Sequence, residues 1–412
     1  MHNIIFIKRN NNWIITLCGW LTIVSLCFIP YIPITNSFYI RIEDIVLPII
    51  AILLIPNFKV FKYWYFLILI LWSIEGIISM RINHRLDAWN DYTEIYKLFK
   101  YSTFVMLFYY FFKQKKNIFI PVTIIFILLI IFNLFHYLNI FNFNEIVMPV
   151  YSTNMNQLLF FGKNSLGGPA TKRILGTMGN PNLNAILFSI FSVYYLTFKN
   201  EYKWNFPLFL FYLSFAMVLF TQSRTVIFSI AIIILLFFFI NKEFSWKYIL
   251  KFTFFLLTTV LVVRFSDQYS LNYISNAKLS LVENGSIRGR IEIWSYLWEM
   301  IKKKPFWGYG INKNFFYLNY LYSENEYILI TWRYGIIGLF GYLTMLLGPL
   351  IYYRKKINFH ESQKHIFFLF IIIIFGINAL TNNPMSDPVL QLFFAISTGA
   401  FLSQFELNEE KT

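Results

Sequence analysis

The sequence predicts an all-α polytopic membrane protein with about twelve transmembrane helices and one large loop outside the membrane. Of its 412 residues, 58% are hydrophobic and only 13% are charged, and the apolar residues fall into runs of membrane length. A soluble domain averages about 25% charged residues. The shortage of charge therefore excludes an ordinary soluble domain.

The apolar runs predict the individual spans, because a helix needs about 20 residues to cross the hydrocarbon. The predicted spans are 13–32, 40–56, 63–80, 95–112, 118–138, 182–198, 205–221, 225–240, 248–263, 326–352, 365–380 and 388–405. The first run is too long for the apolar core of a signal peptide, and no small-residue cleavage site follows it, so we expect a retained anchor. Cys18 and Cys27 both lie in this run and indicate no disulfide framework.

Basic residues cluster in alternate connections, and such clusters favour the cytoplasmic side. They lie near 8–9, 59–62, 113–116, 199–203, 242–247 and 354–364. Both termini are then cytoplasmic, and the opposite connections are 33–40, 81–94, 139–181, 222–224, 264–325 and 381–387. The net charge of +15 comes largely from these clusters, so it indicates membrane topology and not nucleic-acid binding. The whole chain, 1–412, is expected to form one membrane domain without internal repeats.

Three charged residues occur at or near membrane depth, where charge is costly and often functional. Glu75 is expected to face the bundle and to have a hydroxyl or cation partner, with a proton relay as the alternative. Arg224 interrupts an apolar stretch beside the hydroxyls of Thr221, Ser223 and Thr225, which indicates an anion site at a helix N-terminus or an interfacial turn paired with phospholipid. Arg333 is expected either to reach the outer interface or to contact substrate.

The two long loops on the predicted outer side carry further candidates. The second loop, 139–181, ends in Arg173 and a Gly-rich turn before Pro181, where Asn180 or Asn182 is suited to cap a helix. With Arg173 nearby, this entry is either a plain helix start or an anion or sugar surface. Asn180 and Asn182 are therefore candidate substrate contacts.

The large loop, 264–325, contains more candidate functional residues than any other connection. Arg288, Arg290 and the basic run 302–304 are candidate anion ligands or, for the run, a solvated face. Arg290, Trp294 and Trp298 are helically spaced, as in a loop core or an interfacial aromatic belt. Glu324 and Glu326 stand where the chain returns to the membrane and are the candidate catalytic carboxylates.

Arginines and a carboxylate beside an apolar bundle match the chemistry of a lipid-linked pyrophosphate. A polyprenyl tail favours hydrocarbon, the diphosphate favours forked guanidinium donors, and an incoming sugar hydroxyl needs a carboxylate base. No metal-ligand spacing is visible in the sequence, and no cofactor is expected.

Five motifs in this order resemble the superfamily of O-antigen polymerases and O-antigen ligases of bacterial envelopes. The resemblance covers residues 170–345 by motif and the whole chain by topology. The motifs are Arg173-Ile-Leu-Gly-Thr-Met-Gly-Asn-Pro-Asn182, Thr221-Gln-Ser-Arg224, Gly289-Arg290-Ile-Glu-Ile-Trp294, Lys304-Pro-Phe-Trp-Gly-Tyr-Gly310, and Glu324-Asn-Glu-Tyr327 with Tyr334-Gly-Ile-Ile-Gly338.

The resemblance implies a C-type glycosyltransferase-like membrane fold that acts on undecaprenyl-pyrophosphate-linked glycans at the periplasmic face of the bacterial inner membrane. It implies Arg224 and Arg290 as pyrophosphate ligands, Arg173 as a further contact, and Glu324 as the general base, with Glu326 as its competitor. Ligases of the superfamily have a His-Asn pair where Glu324 and Asn325 stand here. We therefore expect a polymerase of O-antigen or capsular repeat units, with a chain-length regulator as a further partner.

Three other functions stay open at this point. A ligase or a protein O-oligosaccharyltransferase would share the fold. A polysaccharide-lipid flippase or exporter would also have about twelve spans, although transporters usually show repeated halves, which are not visible here. A lipid-binding scaffold without catalysis would leave Glu324 without a role.

Overall fold

The protein is a helical bundle, seen in a computed structural model that describes residues 2–30, 32–35, 38–54, 63–114, 116, 118–151, 173–198, 206–241, 285–319, 321, 323–359 and 362–409. These residues contain fourteen α-helices and one β-hairpin. The first helices are α1 (His2–Phe28), α2 (Ile42–Leu54), α3 (Tyr63–Ile82), α4 (Tyr92–Lys113), α5 (Phe119–Leu138), α6 (Phe143–Tyr151), α7 (Pro181–Thr197) and α8 (Phe206–Thr221). The remaining helices are α9 (Arg224–Asn241), α10 (Gly285–Lys303), α11 (Lys313–Leu318), α12 (Glu326–Tyr353), α13 (Gln363–Asn378) and α14 (Pro388–Glu409).

Five of these helices are long and apolar enough to cross a membrane, namely α3, α5, α9, α12 and α14. Three shorter apolar helices, the 13–28 part of α1 together with α8 and α13, add to them. The chain is thus a multi-pass membrane protein. The predicted span 248–263, residues 264–284 and the basic clusters at 59–62, 199–203 and 242–247 lie outside the described residues.

Three predicted spans form helices that are less apolar or shorter than a lipid-facing span. α2 has only 13 residues and begins with Glu43 and Asp44. α4 carries buried tyrosines and a buried lysine, and α7 is buried along almost its whole length. Because neighbouring helices shield them, such helices need not be apolar on every side. In α7, for example, Ser192 Oγ lies 2.9 Å from Ser214 Oγ of α8.

A short hairpin is the exception to the all-α prediction. β1 (Ile32–Thr35) and β2 (Phe38–Ile40) pair antiparallel between α1 and α2, in the connection predicted at 33–40. The connection has too few residues to form a helix. Pairing of the two strands provides hydrogen bonds for its backbone N–H and C=O groups.

Among the described residues, four of the connections predicted for the outer side meet at one end of the bundle. Lys304 Nζ donates to Asn83 Oδ1 at 2.6 Å, which joins the large loop to the connection 81–94. Thr381 Oγ1 lies 3.1 Å from Thr225 Oγ1, which joins the connection 381–387 to the start of α9. The backbone N–H of Met385 donates to Glu326 at 3.1 Å. These contacts bring the predicted connections 81–94, 222–224, 264–325 and 381–387 together at one end of the bundle. The rest of the predicted alternation, and the compartment that this end faces, stay predictions.

The described part of the large loop has its own small core. Leu297 and Ile301 of α10 pack with Phe316 of α11 and with Leu329 and Trp332 of α12. This cluster is separate from the large core of the bundle. The described part of the loop thus packs on the first turns of α12. Arg290, which lies in α10, is therefore near the start of α12.

α12 is broken at Gly335, where φ is 67° and ψ is −166°. The Ile336 N–H donates at 2.8 Å to the carbonyl of Pro305, and the Trp332 carbonyl, its regular helical partner, accepts from the Tyr309 N–H at 2.9 Å. A Cβ on Gly335 would lie 2.0 Å from the Phe306 carbonyl oxygen, so only glycine fits. The motif Lys304 to Gly310 is therefore the segment that enters the break in the helix.

Candidate functional site

The first part of the candidate site is the entry of α7. Arg173 Nε donates to the Thr221 carbonyl at 2.7 Å, and Arg173 Nη2 donates to Asn182 Oδ1 at 2.8 Å. Asn180 Oδ1 accepts from the backbone N–H groups of Asn182 and Leu183, so Asn180 is the helix cap. Arg173 thus ties this entry to the C-terminus of α8.

The second part is the turn between α8 and α9. Gln222 adopts a left-handed backbone with φ of 56°, which ends α8, and α9 begins at Arg224. The predicted interruption of the apolar stretch is therefore present. Arg224 is exposed, and it lies on the same side of α9 as the exposed Phe228 and Leu235. Its side chain thus stands at the N-terminal end of an exposed, apolar stripe of α9.

The third part is an ion pair between Arg290 and Glu324. Arg290 Nε donates to Glu324 Oε2, and both side chains keep some exposure to solvent. The indole N–H of Trp294 donates to the Ser323 carbonyl, and Asn325 Oδ1 caps α12 by accepting from the Ile328 N–H. Glu324 has a positive φ of 40° between these two fixed neighbours. Its backbone is therefore held on both sides, and its carboxylate points at Arg290.

Glu326, the second candidate base, is buried and bonded. It accepts from the Tyr342 hydroxyl at 3.0 Å, from the Met385 N–H at 3.1 Å and from the Ser386 hydroxyl at 3.4 Å. Only 1% of the residue is exposed. The carboxylate thus stabilises the turn Pro384–Ser386 against the start of α12 and offers little access to an acceptor.

Arg333 and Arg288 lie in ion pairs away from Arg290. Arg333 Nη1 lies 3.2 Å from Glu94 Oε2 and is largely buried, so it does not reach out to the interface. Arg288 pairs with Glu292 at 3.0 Å on the exposed side of α10. A role in substrate binding stays a prediction for both residues.

A carboxylate that the sequence reading missed organises this end of the bundle. Glu94 lies within 3.3 Å of Lys97, Lys313 and Arg333, and thus joins α4, α11 and α12. Burial alone would raise the pKa of the Glu94 carboxyl, but the three cations hold that pKa well below its usual range. The spacing of Glu94 and Lys97 signals one of these pairs. Nothing in the sequence signals the other two, because they join distant segments.

Contacts between neighbouring segments connect these parts at one end of the bundle. Arg173 contacts Thr221 beside the turn to Arg224, and Thr225 contacts Thr381. The Ala379 carbonyl then accepts from the Glu326 N–H at 2.8 Å, two residues from Glu324. All four candidates, Arg173, Arg224, Arg290 and Glu324, therefore lie at the same end of the bundle. Within the described ranges, no group of three His, Cys, Asp or Glu side chains is placed to hold a metal ion.

The sequence has a match to one known family. Residues 209–343 match the family model described as Wzy_C, O-Antigen ligase. The match covers about a third of the chain, from α8 into α12, and includes Arg224, Arg290 and Glu324 but not Arg173. No curated protein matches the chain. This region is thus similar to the O-antigen ligase family.

Proposed function

We propose that this protein is a membrane glycosyltransferase that polymerises undecaprenyl-pyrophosphate-linked repeat units into O-antigen or capsular polysaccharide. The observation that carries the proposal is the family match over residues 209–343, which contains two arginines and a carboxylate that lie at one end of a membrane bundle. In this proposal that end faces the periplasm, both termini are cytoplasmic, and the bundle is C-type glycosyltransferase-like.

The proposed reaction is a single displacement at the anomeric carbon of the lipid-linked donor. The acceptor hydroxyl oxygen forms a bond to this carbon, the bond from the carbon to the phosphate oxygen breaks, and the configuration inverts. Glu324 takes the hydroxyl proton, and the undecaprenyl pyrophosphate leaves with the bonding electrons. Arg224 and Arg290 stabilise the leaving group, because guanidinium groups match phosphate in charge and geometry. Arg173 acts as a further contact.

The ion pair between Arg290 and Glu324 gives this reaction an order of events. While Glu324 Oε2 accepts from Arg290 Nε, that carboxylate oxygen is occupied and is not free to accept the hydroxyl proton. The donor pyrophosphate is the stronger, doubly charged partner, and it replaces Glu324 on Arg290. The carboxylate then turns to the acceptor hydroxyl, so the base becomes available only when the donor is bound.

The second candidate function is ligation of a finished chain onto lipid A core. The description of the matched family, O-Antigen ligase, favours it. Glu324 favours the polymerase, since ligases of the superfamily are expected to have histidine at this position. The substrate in both cases is a lipid-linked glycan, and the two functions differ in the acceptor.

Gene deletion and point variants test both the function and the residues. Deletion should leave lipid A core with at most one repeat unit if the protein is a polymerase, whereas loss of every repeat unit indicates a ligase or a flippase. Arg224→Ala, Arg290→Ala and Glu324→Gln should each abolish long chains in a gel of lipopolysaccharide or capsule, while the membrane level of the protein is unchanged.

The matched control is Lys303→Ala, which removes one exposed positive charge from the same loop helix and should keep the full chain length. Normal chains in the Arg224→Ala and Arg290→Ala variants would contradict the pyrophosphate site. Loss of activity in Glu326→Gln but not in Glu324→Gln would move the base to Glu326.

A further inference from the structure

One side of α10 carries exposed apolar side chains beside the Arg290–Glu324 pair. Trp298 is 51% exposed and Ile291 is 52% exposed, although both belong to a helix with its own buried face. Ile291, Trp294 and Trp298 are separated by three and four residues, so they lie on one side of the helix. We call these three residues the aromatic side of α10.

The aromatic side is the one that Glu324 adjoins. Arg290 holds the Glu324 carboxylate, and the Trp294 indole N–H holds the preceding carbonyl of Ser323. Trp298 stands one turn beyond Trp294, and its α-carbon lies about 12 Å along the helix axis from that of Arg290. The exposed surface therefore begins at the proposed base and extends for more than the length of one pyranose ring.

The buried side of α10 determines where this surface faces. Leu297 and Ile301 pack on Leu329 and Trp332, which precede the break at Gly335. The 18 residues of α12 after the break have a length of about 27 Å, nearly enough to cross the hydrocarbon alone. α10 thus packs on the part of α12 before the break, at one end of the crossing.

The exposed neighbours of the aromatic side also favour water over lipid. Glu292 and Glu299 are exposed on the same helix and pair with Arg288 and Lys302. All four of these charged side chains are exposed to solvent, and transferring them into hydrocarbon would be costly. A flat indole with solvated polar neighbours instead suits a ligand that has both apolar faces and hydroxyl groups.

We infer that the aromatic side of α10 is a stacking site for sugar rings of the lipid-linked glycan, next to the bond that forms. The inference rests on the proposed function. A pyranose ring has C–H groups on its faces and hydroxyl groups around its edge, so it stacks on an indole while its hydroxyl groups stay hydrated. Trp298 is a positioning residue: it holds a sugar at the distance from Glu324 that the repeat unit requires.

The matched control comes from the same helix. Tyr296 is 51% exposed, as Trp298 is, but it lies two residues away and thus on the other side of α10. Trp298→Ala and Tyr296→Ala remove aromatic rings of equal exposure. The comparison therefore separates a specific stacking site from a general effect of surface aromatic residues.

The experiment uses the full chain in lipid nanodiscs and lipid-free oligosaccharide released from the polysaccharide of the same organism. Isothermal titration calorimetry should give a Kd that rises about tenfold in Trp298→Ala, as expected for one lost stacking contact. Trp298→Tyr should recover most of the affinity, and Tyr296→Ala should bind as the wild type does. A loss for single repeat units assigns the site to the acceptor, and a loss for polymer fragments alone assigns it to the donor.

The inference is overturned if Trp298→Ala binds both glycans as the wild type does, if the wild type binds neither, or if Tyr296→Ala loses the same affinity. With lipid-linked repeat units, Trp298→Ala should raise KM and keep kcat. A wild-type protein that binds the glycan but makes no polymer would contradict the proposed function and leave the stacking site supported. A protein that polymerises normally in the Trp298→Ala variant, with unchanged KM, would contradict the stacking site alone.

Discussion

Two carboxylates only two residues apart have different environments in this protein. Glu324 precedes α12 in a left-handed backbone conformation and faces a partly exposed arginine. Glu326 begins α12, where three hydrogen-bond donors surround its buried carboxylate. The sequence alone offered both as the base. The difference depends on the turn Pro384–Ser386, which is about sixty residues away in the chain.

Glu75 is a residue for which the sequence led to a wrong expectation. A hydroxyl or cation partner was expected, yet both of its buried carboxylate oxygens lack a hydrogen-bond partner among the described residues. The side chain lies in α3 against Gly338 of α12. The pairing of an acidic residue within a span depends on the rotation of its helix, which the apolar pattern of α3 fixes poorly.

We predict that Glu75→Leu raises the stability of the protein. A buried polar group without a partner costs about 1–3 kcal/mol, and leucine has a similar volume without this cost. The melting temperature in detergent should therefore rise, and the polysaccharide should keep its length. A lower melting temperature would show that the carboxyl has a stabilising partner, and a loss of long chains with an intact fold would support the proton-relay alternative.

At the scale of the elements, the break in α12 explains two glycine-containing motifs together. Gly335 admits the Phe306 carbonyl, and a Cβ on Gly308 would lie 2.6 Å from the backbone of Trp332 and Arg333. The hydroxyl of Ser79, which lies in α3, donates to the Trp307 carbonyl. The sequence shows the glycines, but it does not show that the two motifs pack against each other. This contact joins a loop to the interior of a predicted span.

We predict opposite effects for two alanine substitutions of glycine. Gly335→Ala should destabilise the protein by about 3 kcal/mol or more, because backbone strain and the clash with Phe306 add. Gly289→Ala should stabilise it by about 0.5–1 kcal/mol, since a Cβ there meets no atom within 4 Å in the interior of α10. Thermal unfolding of both variants checks this pair. Equal melting temperatures would contradict the break.

At the scale of the whole molecule, much of the architecture could be predicted from the apolar runs and the basic clusters. The order of the helices, the connections that meet at one end and the interruption before Arg224 all follow from local pattern. Local pattern does not predict the hairpin at 32–40, the core of the large loop or the ion pairs around Glu94. Each depends on segments that meet only after the helices have packed, and single-sequence patterns carry little information about such contacts.

We predict that Glu94 stabilises the end of the bundle at which α4, α11 and α12 meet. Glu94→Ala leaves Lys97, Lys313 and Arg333 without their shared counter-charge, and the loss of one partner from a buried ion pair costs about 3–5 kcal/mol. Glu299→Ala removes the partner of Lys302 on the exposed side of α10 and should change the stability by less than about 0.5 kcal/mol. Melting temperatures in detergent measure both, and similar values would contradict the role of Glu94.

The segment Lys304 to Gly310 also has a mechanical consequence. Its backbone is fastened to α12 on both sides of Gly335, through the Pro305–Ile336 and Tyr309–Trp332 hydrogen bonds. Lifting the large loop away from the bilayer would therefore pull on the axis of a transmembrane helix. If a glycan stacks on α10 as we propose, a pulling force on that glycan would be transmitted through these hydrogen bonds to α12 at Gly335.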